Sequence, residues 1–398
     1  MTMRILYVWD AEYPWDVRTE KVCLALTAAG HEVVITGRNL QDRPRTERLP
    51  EGTVERLAAG FGPARRWLSF PAFFNPFWLG HLTSLIRRHR IDLVMVRDLP
   101  LAPTALMAAR RRMPVVLDMA ENYPAMIRDI WTDGRQKPLD ILVRNPSLVA
   151  GVERYVLRRV DHVVTVVEES KDRVVALGVP ADRVSVVSNT PPASRAAADS
   201  AERPSTGPIR MVYLGLMEKH RGIGCTLGAA AILKHSGFPF HLDLVGDGRD
   251  YDHFREQARQ LDLTDAEVVF HGRLPHQQAI EVVAGAHVGL VPHEARESWN
   301  TTIPNKLFDY MAAGLAVVSS DAAPATRVIQ ETGAGVVFRS NDASDLAAAI
   351  RKSAADWAGF GRAGKAAIAS RYNWETDTRA LLEVVSSLRQ SPNGGAGT

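Results

Sequence analysis

The chain has 398 residues, 46% hydrophobic and 23% charged, enough apolar material for two domains with full cores. Its 48 Lys and Arg against 45 Asp and Glu leave a net charge of only +3, so the concentrated basic excess of a nucleic-acid binder is missing. Two cysteines, Cys23 and Cys225, lie far apart in apolar settings and support neither a disulfide framework nor a zinc site.

RILYVW (4–9) predicts a first strand, and the opening meets Asp10 too soon for a signal peptide. No stretch reaches the roughly 18 apolar residues of a membrane span, so the expected location is cytoplasmic. Asp16 and Arg18 follow in the loop DAEYPWDVRTE. Arg18 to Ala29 then reads as a helix closed by Gly30, and HEVVITG as the next strand. From Arg56 to Ile91 there is no acidic residue, while seven of the 28 aromatics gather between Phe61 and Trp78. Arg65, Arg66, Arg87, Arg88 and Arg90 flank them. Such a stretch (61–90) suits peripheral contact with an anionic membrane at its inner face, or a lipid-diphosphate acceptor. It suits equally a loop followed by a core helix packing Trp78, Leu82 and Ile86.

IDLVMVRD, MPVVLDMAE and DHVVTVVEES continue the strand-and-helix alternation. Glu121 stands at a strand end, where ligand contact and capping of the next turn are both open. PPASRAAADSAERPSTGP (191–208) then changes composition abruptly, as a linker does.

A second alternation follows: IRMVYLG, FHLDLVGDG, AEVVFHG, HVGLVPH, LAVVSSD and GAGVVF. The predicted fold class is therefore α/β, with two doubly wound parallel sheets and a ligand cleft at the carboxyl ends of their strands. Gly246 and Gly248 form a turn that lets backbone approach a ligand. Arg221 lies in the turn before a helix starting near Gly222. In TTIPNKLFDYMAAG (301–314), Pro304 suits a first helical turn, Thr301 and Thr302 suit capping, and Gly314 a stop, giving about three turns. Lys306 in the first turn of that helix opposes the helix dipole unless an anion binds there. Arg221 and Lys306, each beside a helix N-terminus, would together clamp a pyrophosphate.

These stretches, with YLGLMEKHRG, LVGDG, FHGRLP and PWDVRTEKVCLALTAAGHEVVI, resemble the family 4 glycosyltransferases of the GT-B fold over about residues 4–385. PNKLFDYMAAG is similar to the form that family's Glu-x7-Glu motif takes in many cell-envelope and polysaccharide enzymes. The resemblance implies two facing Rossmann-like domains: an acceptor-side domain at 1–190, the linker 191–208, a nucleotide-sugar domain at 209–371, a helix at 372–390 crossing back to the first domain, and a disordered tail at 391–398. It implies a retaining, front-face transfer of sugar from a nucleotide diphosphate donor, UDP-sugars ahead of GDP-sugars, to a hydroxyl of a glycan, glycolipid or small molecule. No metal and no cofactor would be required.

In such enzymes the residues matching Arg221 and Lys306 bind the donor diphosphate, and Asp309 occupies the acidic position that holds the ribose. The other acidic position falls on Thr301, with Thr302 and Asn305 in the same donor-binding stretch. Arg273 lies where the base is met. Glu121 is a further catalytic candidate, and Asp16 and Arg18 fall on the acceptor side. The chain departs from the family at Ala120, where many relatives carry a histidine. Thr301 and Ala120 keep open a noncatalytic nucleotide-sugar-binding partner. A sugar-nucleotide epimerase of the same shape needs acid/base side chains that neither residue supplies.

Overall fold

The computed structural model describes residues 2–14, 16–58, 63–70, 73–134, 145–197 and 203–390. The predicted tail 391–398 and parts of 61–90 and 191–208 lie outside the described residues. The chain divides into two compact units, one of Met1–Asn189 with Asp377–Thr398, the other Thr190–Thr376.

The first unit is built on eight strands: β1 (Arg4–Glu12), β2 (Glu32–Arg38), β3 (Thr46–Leu49), β4 (Gly52–Glu55), β5 (Leu93–Arg97), β6 (Val115–Met119), β7 (His162–Thr165) and β8 (Val184–Val186). Their order is β3-β4-β2-β1-β5-β6-β7-β8. Among the described residues only the β3–β4 pair is antiparallel. β5 to β7 read as nearly unbroken apolar runs because both faces of each are buried.

The second unit carries β9 (Ile209–Leu214), β10 (Phe240–Val245), β11 (Val268–Gly272), β12 (Val288–Val291), β13 (Ala316–Ser320) and β14 (Gly335–Phe338). All are parallel, in the order β11-β10-β9-β12-β13-β14. In both sheets the strand order reverses beside the first strand, between β1 and β5 and between β9 and β12. Right-handed crossovers then send the following helices to opposite faces and open a crevice at the carboxyl ends there.

One local reading needs correction. The helix of the PNKLFDYMAAG stretch spans Asn305–Ala312, about two turns, with Pro304 as an N-cap of extended ψ, 130°, rather than in the first turn. The chain leaves a short turn at Trp299–Thr301 and runs extended through Thr302, burying Thr302 and Ile303, before it can coil. The N-cap residue, Pro304, makes no side-chain cap bond, and Thr301 Oγ1 donates back to the Glu297 and Ser298 carbonyls at 3.3 Å.

The segment 191–208 is not bare of structure. It holds a helix at Ser194–Ala197, and Arg203 donates to the carbonyls of Ala284, Ala313 and Gly314 at 3.0, 2.7 and 3.0 Å. Those carbonyls end two helices and lack intrahelical partners, so an arginine is well used there. Composition alone does not reveal this capping.

In the stretch 61–90, the helix Pro76–Arg88 buries Trp78, Leu82 and Leu85, and Asn75 caps its start. Its inner stripe is thus core, whereas Trp67, Phe74 and Phe77 remain exposed.

Candidate active site

The switch point of the second sheet gathers the predicted cations. Arg221 closes the turn Lys219–Arg221 after β9, ahead of the helix Ile223–His235. His293 follows β12, and Lys306 is the second residue of the Asn305–Ala312 helix. Lys306 Nζ lies 3.8 Å from the ring centroid of Tyr213, and a Cβ at Gly215 would stand 2.6 Å from that nitrogen. Gly215, at φ 149°, therefore lets the backbone after β9 pass the ammonium closely.

Arg221 Nη1 is 3.1 Å from His293 Nε2, and both side chains lie against Trp299, at 4.8 Å for the guanidinium and 4.4 Å for the imidazole. A guanidinium can only donate, so His293 accepts through Nε2 and carries its proton on Nδ1. Arg221 Nε and His293 Nδ1 are both buried without a hydrogen-bond partner among the described residues. Burial, then Lys306, Arg221 and His220, hold His293 well below the usual imidazole range and keep it neutral. Burial, then Arg221, lower the Lys306 ammonium well below its ordinary value. The cluster holds positive charge with two unmet donors, the chemistry of an anion site. His293 and Trp299 were not among the sequence candidates; the apolar run LVPH gives no sign that its histidine faces a cation.

Asp309 lies one turn after Lys306, and its Oδ1 accepts from Arg195 Nη1 at 3.1 Å. The glycine turn joins this edge as well. The Gly246 N–H donates to the Gly272 carbonyl at 2.8 Å, and Met217 N–H donates to the Asp247 carbonyl at 3.0 Å. At φ 137°, a Cβ on Gly246 would strike the Gly215 carbonyl, and one on Gly248 the Met217 carbonyl. These glycines therefore serve close packing of the β9 and β10 turns. Arg273, one residue past β11, is exposed, as is Asn305.

In the first unit, Arg18 needs correction as an acceptor contact. It is buried, its Nη2 bonds Asp118 Oδ1 at 2.5 Å, and its Nη1 donates to the Val187 carbonyl at 2.9 Å. Tyr7 donates to the same carboxylate at 2.6 Å. Burial alone would raise Asp118, but Arg18 and the hydrogen bonds hold it below the usual carboxylate range.

Asp16 caps the helix Val17–Ala28 by accepting from Thr19 N–H at 2.7 Å and also pairs with Arg97. Glu121 stands in the turn after β6, where its N–H donates to Asp98 Oδ1 at 3.2 Å; the next helix is capped by Asn122. Asp98 also accepts from Ala120 N–H, and burial raises it to about 6. Asp10, at the end of neighbouring β1, is raised to about 7 by burial and by Asp98. Among the described residues no group of three or more His, Cys, Asp or Glu is arranged to hold a metal ion, and no helix is long and apolar enough to cross a membrane.

Residues 16–190 match the family described as "Glycosyl transferase 4-like domain", and residues 208–356 the family "Glycosyl transferases group 1". The chain is a glycosyltransferase of the GT-B type. It is 25% identical to the glycogen synthase of Mycobacterium tuberculosis, over 98% of this chain and 95% of that one. A phosphatidyl-myo-inositol mannosyltransferase of Mycolicibacterium smegmatis is 31% identical over 45% of each. Among solved structures, sucrose-phosphate synthase from Thermosynechococcus elongatus superposes on the glycosyltransferase with a TM-score of 0.75 at 17% identity, covering 97% of this chain and 99% of that one. Anabaena HepE in complex with UDP gives 0.71 at 14%, covering 97% and 100%.

Proposed function

We propose that the enzyme is a retaining transferase that moves a sugar from a UDP-sugar to a hydroxyl acceptor and seats the donor diphosphate between Arg221 and Lys306. The observation that carries this reading is the cationic cluster at the β9–β12 switch point, with a half-buried lysine and two unmet donors. Departure of a nucleoside diphosphate builds negative charge on its phosphate oxygens. Fixed cations and a helix N-terminus stabilise that charge more in the transition state than in the ground state. His293 fixes the guanidinium of Arg221, so little reorganisation is needed as the charge develops.

Asp309 is assigned to the ribose hydroxyls, with Thr301, Thr302 and Asn305 beside it, and Arg273 to the base. The leaving phosphate itself takes the acceptor proton in a front-face route, with no metal required. Glu121, in a turn organised by Asp98, is the first-unit carboxylate assigned to the sugar. UDP complexes of a structural relative favour UDP over GDP. The acceptor is a glycan or glycolipid, and exposed Trp67, Phe74 and Phe77 beside arginines favour one met at a membrane surface.

Incubation of the pure enzyme with UDP-, GDP- and ADP-sugars, with detection of free nucleoside diphosphate, tests the assignment. Slow release from a UDP-sugar, accelerated by an acceptor with retained anomeric configuration, is expected. Tight UDP binding with no release under any donor and acceptor would make the protein a noncatalytic partner.

A further inference from the structure

A second candidate site lies in the first unit at the amino ends of β6 and β7, the opposite edge of that sheet from Asp98 and Glu121. It is a pocket of about 510 Å³ bounded by Val115 at the start of β6 and by Asp161 just before β7. Its hydrocarbon surface comes from Leu106, Met107, Met113 and, on the last helix, Leu388. Its cations are Arg111, Arg158 and Arg159.

The charge balance there is one-sided. Among the described residues Asp161 is the single acid of the lining, and its Oδ2 already accepts from Val115 N–H at 2.8 Å. Arg159 is held over the Tyr155 ring at 3.9 Å and donates to the Tyr155 carbonyl at 3.1 Å. Arg111 and Arg158 have neither a hydrogen bond from their side chains nor an ion pair among the described residues, and both are exposed at the mouth. Among the described residues no Ser, Thr, Asn or Gln side chain lines the pocket. A free sugar phosphate would leave its hydroxyls facing Leu and Met there, and burying unpaired hydroxyls is costly. A phosphate joined to a hydrocarbon chain satisfies both halves of the lining.

The apolar surface also continues outward. The Tyr155 ring meets Phe74 edge-on at 6.4 Å, and Phe74 and Met107 are 57% and 44% exposed. We propose that this pocket seats the phosphate and first acyl methylenes of an anionic membrane phospholipid, anchoring the enzyme on a bilayer. The proposal rests on the membrane reading above for the source of the lipid, and on nothing in the transfer chemistry.

Flotation of the full-length enzyme with vesicles of phosphatidylcholine alone, or with added phosphatidic acid, tests it. Binding only to the anionic vesicles is expected. R111A/R158A should weaken it roughly tenfold or more, since each arginine near such a surface contributes appreciably. R255A/R362A, which removes two exposed arginines of the second unit, should leave it unchanged. Dihexanoyl phosphatidic acid should compete, and inorganic phosphate at the same concentration should not. Donor hydrolysis with a soluble acceptor should be equal in all three proteins. Equal loss in both double variants, full competition by inorganic phosphate, or no binding to anionic vesicles would each overturn the proposal. Vesicle binding that persists with no donor turnover would sink the transferase reading alone.

Discussion

Lys306 meets the face of Tyr213 at 3.8 Å, and no carboxylate pairs with it among the described residues. An aromatic face offsets only part of the cost of burying an ammonium, so its ordinary value is lowered. The charged lysine therefore costs folding stability. Its folded value lies below its unfolded one, so the unfolded chain binds more protons and wild-type stability rises with pH between the two.

K306M should therefore stabilise the fold near neutral pH by about 0.5–2 kcal/mol, read as a higher Tm. The gain should shrink as pH climbs towards the ordinary lysine range. The same variant should lose about 1.5–3 kcal/mol of UDP affinity, the worth of a charge-assisted hydrogen bond. Wild-type UDP affinity should fall as pH rises through the lowered lysine value, which calorimetry in buffers of different ionisation enthalpy reads as proton uptake. A K306M protein no more stable than wild type, with unchanged UDP affinity, would remove Lys306 from the site.

Asp309 gives a prediction with opposite signs at two positions. Its partner Arg195 is exposed, and such pairs contribute no more than about 1 kcal/mol. If the carboxylate holds the ribose, Arg195 competes with the donor, and R195A should tighten UDP up to about fivefold. D309N should weaken it. A nucleotide lacking ribose hydroxyls should be nearly indifferent to both changes. Equal effects on the two nucleotides would separate Asp309 from the ribose.

The extent to which this site is legible in the sequence follows from how local each signal is. Apolar runs and glycines mark the strands and turns, and a lysine early in a helix conflicts with the dipole, so Lys306 stands out from its neighbours alone. Arg203 capping two helix ends, and His293 receiving Arg221, depend on residues about 70 to 110 positions away, which no periodicity encodes. Asp16 and Arg18 show the same limit in the other direction. They lie two residues apart at the start of one helix, yet Asp16 caps it and pairs with Arg97 while Arg18 in its first turn is drawn inside by Asp118, one hundred residues on.

Arg18 therefore yields a test of structure against ligand contact. R18A leaves a buried carboxylate unpaired and should cost about 3–5 kcal/mol at neutral pH. In the wild type, Asp118 is held low, so the pair's contribution is present above the unfolded carboxylate value and is lost as pH falls through the folded one. In R18A, burial raises Asp118 instead, so the penalty should ease on acidification. R18A/D118A removes the stranded charge, and it should recover part of the Tm and the transfer rate together. Recovery of Tm without transfer would return Arg18 to the acceptor site.

The last helix, Trp374–Gln390, supplies the final prediction. From Asp377 onward it belongs to the first unit, where Leu381, Val384 and Val385 are buried and Asp377 accepts from Ser188 N–H at 3.0 Å. Each such side chain stabilises by about 1.5–3 kcal/mol when fully buried, so the helix contributes a sizeable share of a domain's net stability. Deleting residues 372–398 should lower Tm sharply, expose apolar surface to a hydrophobic dye and abolish transfer. Ending the chain after Gln390 removes only SPNGGAGT, which has no large apolar residue to bury, and should change neither Tm nor rate. The substitution L381E/V385E isolates packing from length: it keeps every residue, places two charges on the buried face, and should reproduce the large deletion. A 372–398 deletion that keeps its Tm and its rate would show that the first unit folds and works without this helix.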